Sequence, residues 1–228
     1  MVFITGDIHG NPEKIIRFSE KMELTPEDII IILGDVGCNY YKGKRDKKTK
    51  EKLSAIGPTI FCIHGNHEMR PQKINTYKEK EWNGGIVFYE DKYPNLLFAK
   101  DGEIFNFNGF NALVIGGAYS VDKEYRLACN YGWWSDEQPS KEIKEYVEEQ
   151  IKKNKIDLVL SHTCPAKYTP TEAFLGFIDQ SKVDRSTEEW LDFVEENTKY
   201  IDWFCGHWHI DKNIDRIHFL FDSFMKIK

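Results

Sequence analysis

Short apolar runs alternate with helical patterns through the first third of the chain. Val2–Thr5 reads as a strand, and Pro12–Met22 as a helix with Asn11 as N-cap and Pro12 at its first position. Asp28–Leu33 reads as a buried strand, the charged stretch 44–56 as a helix, and Thr59–Ile63 as a third strand. This β-α-β-α-β order predicts parallel strands joined by helical crossovers. The middle changes character. Ile86–Tyr89, Leu96–Ala99, Glu103–Phe107 and Ala112–Ile115 predict short strands, with Asp101-Gly102 and Asn108-Gly109 as turn signals between them. A helix is expected over about 140–153, where Ile143, Tyr146, Val147 and Ile151 share one face. Leu158–Leu160 and Trp203–Cys205 read as strands on either side of a helical stretch near 187–196. The tail, Ile214–Phe221 and Phe224–Ile227, reads as a closing hairpin. The fold class expected is α/β with mixed sheets, arranged in layers.

Composition narrows the class. The chain has 228 residues, 41% of them hydrophobic and 30% charged, with no composition break or internal repeat, so one domain over 1–228 is expected. The opening MVFITGD has no basic leader, and no apolar run approaches the roughly 20 residues of a membrane span. Five cysteines (Cys38, Cys62, Cys129, Cys164, Cys205) are widely spaced and odd in number, the pattern of free thiols in a reducing compartment. A cytoplasmic location without membrane attachment is the expectation. A net charge of −6 gives no broad cationic face for nucleic acid, which stays possible only as a substrate at a locally positive site. Oligomeric state is not legible.

Five apolar runs end alike, with glycine or serine and then side chains able to bind metal. They are Gly6-Asp7-Ile8-His9, Gly34-Asp35, Gly65-Asn66-His67-Glu68, Ser161-His162 and Gly206-His207-Trp208-His209. In open α/β sheets, ligands bind where the carboxyl ends of strands converge. Asp-x-His and His-x-His put two side chains on one side of an extended segment, because side-chain direction has period two. Imidazole and carboxylate suit Zn, Fe, Mn and similar ions. Taken singly, a Gly-Asp is a turn and a strand-end histidine a structural residue. As a set the motifs hold six of the seven histidines, in or beside them, with only His218 apart.

The ordered set D-x-H, G-D, G-N-H-E, H, G-H-x-H resembles the calcineurin-like metallophosphoesterase superfamily over Asp7 to His209. The resemblance implies two mixed β-sheets packed as a sandwich flanked by helices, in four layers. It implies two divalent ions: Asp7, His9 and His209 on one, Asn66, His162 and His207 on the other, and Asp35 bridging. His67 would be the general acid that protonates the leaving oxygen. With only two anionic ligands, two divalent ions and a shared hydroxide leave the site positive toward a phosphoryl dianion attacked in line.

The chain departs from protein Ser/Thr phosphatases of that superfamily. Their G-D-x-x-D-R-G is here Gly34-Asp35-Val36-Gly37-Cys38-Asn39-Tyr40, and their arginine before G-N-H-E is His64. The metal cradle stands without the phosphate-gripping arginines, which favours a phosphorylated small molecule, nucleotide or diester over a phosphoprotein. Segment 119–139, with Lys123, Arg126, Tyr125, Tyr131, Trp133 and Trp134, reads as an irregular connection that is either a binding loop or an aromatic-pinned surface loop. Arg126 and Asn66 are the candidate substrate contacts. Lys42–Lys52 reads as a solvated helix face, His64 as a supporting or structural residue, and Glu68 as a helix cap or a support for its turn. The competing function is a catalytically silent scaffold for protein–protein interaction, which would be expected to have lost ligands.

Overall fold

In the computed structural model, which describes residues 1–227, the isoleucine-rich runs become strands buried on both faces. β1 (Val2–Thr5), β2 (Ile29–Ile32) and β3 (Thr59–Cys62) pair in parallel, with α1 (Glu13–Lys21) and α2 (Lys44–Ser54) as crossovers. Asn11, the expected cap, accepts the Glu13 N–H on Oδ1 at 3.2 Å, but α1 starts one residue later than expected, with Pro12 in the cap position. β4 (Lys78–Trp82), β5 (Gly85–Glu90) and β6 (Tyr93–Ala99) follow as an antiparallel meander, and β6 returns parallel to β3.

The second half supplies β7 (Ile104–Phe107), β8 (Phe110–Ile115), α3 (Lys123–Ala128) and α4 (Lys141–Lys153). Then come β9 (Leu158–Ser161), α5 (Ser186–Glu196), β10 (Asp202–Cys205), β11 (Lys212–Ile214), β12 (Ile217–Phe219) and β13 (Met225–Ile227). The hairpin between β7 and β8 turns through Asn108 and Gly109, at φ 54° and 90°, as that dipeptide predicts. Ser140 caps α4 by accepting the Ile143 N–H at 3.3 Å.

Two mixed sheets result, one in the order β13-β1-β2-β3-β6-β5-β4 and the other β11-β12-β10-β9-β8-β7. The period-two alternation of each strand divides its residues between two interfaces. Ile4, Ile31, Phe61, Leu97, Phe105, Val114, Leu160 and Phe204 face the slab between the sheets. Ile30, Ile32, Ile60 and Leu96 face outward to pack with Ile15 of α1 and Leu53 of α2. Leu113, Val159 and Trp203 do the same with Val147 of α4 and Leu191 of α5. The order of layers is helix, sheet, sheet, helix. Among the described residues, no helix is long and apolar enough to cross a membrane.

Three local expectations change. The closing hairpin is not formed: β11 and β12 pair with each other, whereas β13 crosses to the other sheet and lies antiparallel to β1. Segment 119–139 contains the six-residue helix α3. In the lysine-rich stretch, Lys50 is buried and bonds Glu90 at 2.6 Å, so that helix face is only partly solvated.

Candidate metal centre

β1, β2 and β3 in one sheet, and β9 and β10 in the other, are each parallel to their neighbours within the group. Their five motifs therefore leave the strands at carboxyl ends, and the ligand contacts below show them meeting across the two sheets. Carboxylate oxygens and imidazole nitrogens of Asp7, His9 and His209 lie within 4.8 Å of one another, as do those of Asp7, Asp35 and His162, and those of His9, Asp35 and His67. Asn66 joins them, its Oδ1 2.8 Å from His162 Nε2 and 3.1 Å from His207 Nδ1. All seven residues expected as ligands, together with His67, thus meet in one place.

The turns that bring them together are strained. His9, Asp35, His207 and His209 have φ of 44°, 46°, 65° and 52°, in the left-handed region that non-glycine residues avoid. Such residues cost about 1–3 kcal/mol each and persist where the surroundings over-determine them. Here the motifs bind each other's backbones. Asp35 O accepts the His9 N–H at 2.8 Å, Asp35 Oδ1 the His67 N–H at 2.7 Å, and Asp7 Oδ1 the His207 N–H at 3.0 Å. Gly65 and Gly206 permit the approach. A Cβ on Gly65 would stand 2.8 Å from Asp35 Cγ and closer to its Oδ1 and N, and one on Gly206 would press on Asp7 Oδ1.

The donors present electron pairs, not protons, to the centre. His162 Nδ1 sits 2.7 Å from Leu33 O, a carbonyl that only accepts, so Nδ1 carries the proton and Nε2 faces Asn66 Oδ1 with a lone pair. The Asn66 amide is oriented in turn: Nδ2 donates to Ser120 Oγ at 2.9 Å, leaving Oδ1 toward the histidines. Asp7 Oδ2 is buried with no hydrogen-bond partner, while His209 Nε2 stands 3.3 Å away and His9 Nε2 3.7 Å. A cation among these atoms relieves the lone-pair repulsion and satisfies the orphaned oxygen, so the residues present fit a divalent metal.

The electrostatics agree. Burial pushes the Asp7 carboxyl up, but the neighbouring imidazoles of His209, His162 and His9 outweigh this and hold it below the ordinary carboxylate range. Asp35 is lowered in the same way, burial being outweighed by the imidazoles of His162 and His67 beside it. Burial, reinforced by His162, drives the His207 imidazole down to about 3. Two ionised carboxylates and a neutral imidazole are the forms that bind metal. His209 runs the other way, raised by the Asp7 carboxylate beside it.

His67 sits at the edge of the cluster. Its ring is 5.5 Å from that of His9 and 6.1 Å from that of Tyr40, and its side chain is 28% exposed, toward the cleft. Nε2 lies 3.7 Å from Asp122 Oδ1, a carboxylate supplied by segment 119–139. Arg126 is placed differently from the expected substrate contact. It is 1% exposed, bonds Gly132 O at 2.8 and 2.6 Å and Ser120 Oγ at 2.8 Å, and packs over the Tyr40 and Trp134 rings. It reaches the site through Ser120.

Ser120, Asp122 and Glu137 were not singled out from the sequence. Ser120 donates to Glu137 Oε2 at 2.5 Å while accepting from Asn66 and Arg126. The available signal was Gly116-Gly117, which follows β8 as a sixth strand-end motif. His64 is buried, its two ring nitrogens without partners and its imidazole pushed well down by burial.

A sequence profile described as calcineurin-like phosphoesterase matches residues 1–211. No curated protein matches the chain. Among solved structures, TT1561 of Thermus thermophilus is 11% identical with a TM-score of 0.53, covering 96% of this chain and 87% of that one, which is a likeness of fold. The phosphopantetheinyl hydrolase of Mycobacterium tuberculosis is 12% identical at a TM-score of 0.49, over 96% and 86% of the two chains.

Proposed function

The chain belongs to the calcineurin-like phosphoesterase family, and from that premise we propose that its strand-end cleft hydrolyses phosphoesters of small molecules. Asp7, His9 and His209 would hold one divalent ion, and Asn66, His162 and His207 a second, with Asp35 shared. Mn, Fe and Zn all suit this donor set. When bound, such ions supply Lewis acidity toward a phosphoryl oxygen and acidify water at neutral pH. The observation that carries the reading is the convergence of seven candidate ligand side chains, with the Asp7 Oδ2 among them buried and unpartnered.

The chain's own groups divide the remaining work. His67 is the proton donor: its backbone is tied to Asp35, which sets the ring beside the metal ligands and within the cleft. Burial holds the imidazole below its ordinary value, with Asp35 opposing, Arg126 reinforcing and Asp122 opposing again, so a proton held there is released readily. The proton goes to the ester oxygen as that oxygen leaves with its bonding pair. The Ser120 hydroxyl orients Asn66, and with it one side of the cradle.

Metal-reconstituted protein should hydrolyse an aryl phosphate monoester, a bis-aryl diester, or both. His67→Gln should lose about 100-fold or more on an alkyl phosphate and far less on nitrophenyl phosphate, whose oxygen leaves without help. Equal losses on both would remove His67 from the proton-donor role.

A further inference from the structure

The cleft continues well past the ligand cluster. Its volume is about 520 Å³, within the roughly 300–1,000 Å³ of sites that enclose an organic ligand. His9, Asp35, Asn66, His67, His207 and His209 line one part. The remainder is an arm walled by Phe174, Leu175, Ile178 and Val183, with Trp208 of the fifth strand-end motif and Ile210 just after it. Four of these six come from the connection between β9 and α5, which is longer than the about 12–15 residues beyond which structureless loops are uncommon and usually functional.

That connection is built, not loose. Its Ala166–Tyr168, Thr171–Ala173 and Gln180–Lys182 are 3₁₀ turns, and Asp179 accepts the Ser181 N–H at 3.1 Å. Phe174 lies between the Trp208 ring, 6.1 Å away, and the Arg185 guanidinium, 5.5 Å away, which is itself bonded to Gln180 Oε1 at 3.3 Å. Apolar atoms are nevertheless left in water: Leu175 is 50% exposed, and Phe177, two residues on, is 82% exposed. Outside the ligand cluster the cleft's charged lining residues are Asp122, beside His67, with Arg185 and Glu188, one cation against two acids. A nucleotide with several phosphates would find no cationic seat there.

We propose that this arm holds the organic group of the phosphoester, and that the group is an extended, mainly apolar chain. The inference rests on the phosphoesterase reading of the metal end and narrows its substrate class. The chain lies against Phe174, Ile178 and Val183 while the phosphoryl group stays at the ligand cluster.

Isothermal titration of the metal-loaded full chain with n-alkylphosphonates, ethyl to octyl, reads the arm without any hydrolysis. Affinity should tighten with each methylene, by up to about fourfold where the methylene is fully removed from water. Phe174→Ser and Ile178→Asp should flatten this gradient, whereas Phe193→Ser, which removes an exposed aromatic on α5 away from the cleft, should leave it unchanged. Affinity independent of chain length in the unmodified protein would overturn the proposal. So would tighter binding of a nucleoside monophosphate than of octylphosphonate. Phosphate release from the matching alkyl phosphates is followed in parallel. A gradient in binding with no hydrolysis of any ester supports the arm and refutes the enzymatic reading; hydrolysis without a gradient does the reverse.

Discussion

Ser120→Ala tests how the Asn66 ligand is held. Ser120 is 1% exposed, and its hydroxyl makes three bonds: to Glu137 Oε2 at 2.5 Å, from Asn66 Nδ2 at 2.9 Å and from Arg126 Nη1 at 2.8 Å. Alanine adds no atom, so the effect is loss of bonding in a buried place. A neutral hydrogen bond is worth about 1 kcal/mol net and one to a charged group about 1.5–3 kcal/mol. Arg126 keeps Gly132 O, and Glu137 keeps the Ser120 N–H, so the charged partners lose less than the full amount. The expected cost is about 3 kcal/mol, which in a chain of this length lowers Tm by about 6–12 °C. Function should fall with it, because partners that orient metal ligands are worth about 10–100-fold in metal affinity or activity. Calorimetry of EDTA-stripped protein reads the first quantity, and titration with Mn²⁺ the second. A Tm within about 2 °C of the unmodified protein, together with unchanged metal affinity, would refute the orienting network.

Two further outcomes follow from the same geometry. Gly65→Ala places a Cβ against the Asp35 carboxylate and backbone, so Asp35 must move; kcat should drop by about 100-fold or more, and a rate within a few-fold of the unmodified enzyme would show that the cradle has slack. Glu68 gives a pH dependence. Burial, with Asp35 beside it, pushes its carboxyl from 4.5 up to about 8. The folded chain therefore keeps a proton that the unfolded chain has released. This contribution is fully present below about pH 4.5 and is lost as pH rises through about 8, on the order of a few kcal/mol in metal-free protein. Glu68→Gln should remove that decline between pH 5 and 8, as read by urea unfolding at a series of pH values; parallel curves for both proteins would exclude it.

The ligand cluster was legible because each of its members is a residue type with metal chemistry, placed directly after an apolar run. Ile29–Ile32 and its parallel neighbours were legible because both-face burial leaves an uninterrupted apolar string. β4 was not, since Lys78-Glu79-Lys80-Glu81 has no apolar alternation; it is an edge strand, where charge is the usual safeguard against pairing. Its signal was the Asn83-Gly84 turn, at φ 48° and 91°. The tail misled because Phe224–Ile227 has the same local pattern whether it pairs with its predecessor or crosses to β1. What decides is Asp211, whose carboxylate accepts the N–H groups of Phe221, Asp222 and Ser223 and fixes the turn between the sheets. Ser120 and Glu137 were hidden for another reason: a hydroxyl and an acid 17 residues apart carry no metal signature, and their partner Asn66 is 54 residues from Ser120. The arm's Phe174, Ile178 and Val183 follow neither a helical nor a strand period, so only the folded connection shows that they share a wall.

Metal stoichiometry bears most directly on the central claim. Protein stripped with EDTA, saturated with Mn²⁺ or Zn²⁺ and desalted should hold two ions per chain by elemental analysis. Asp35→Asn, which weakens the ligand shared by both sites, should retain close to none. A single ion in the unmodified chain, or two retained by Asp35→Asn, would contradict a dinuclear centre bridged by that carboxylate.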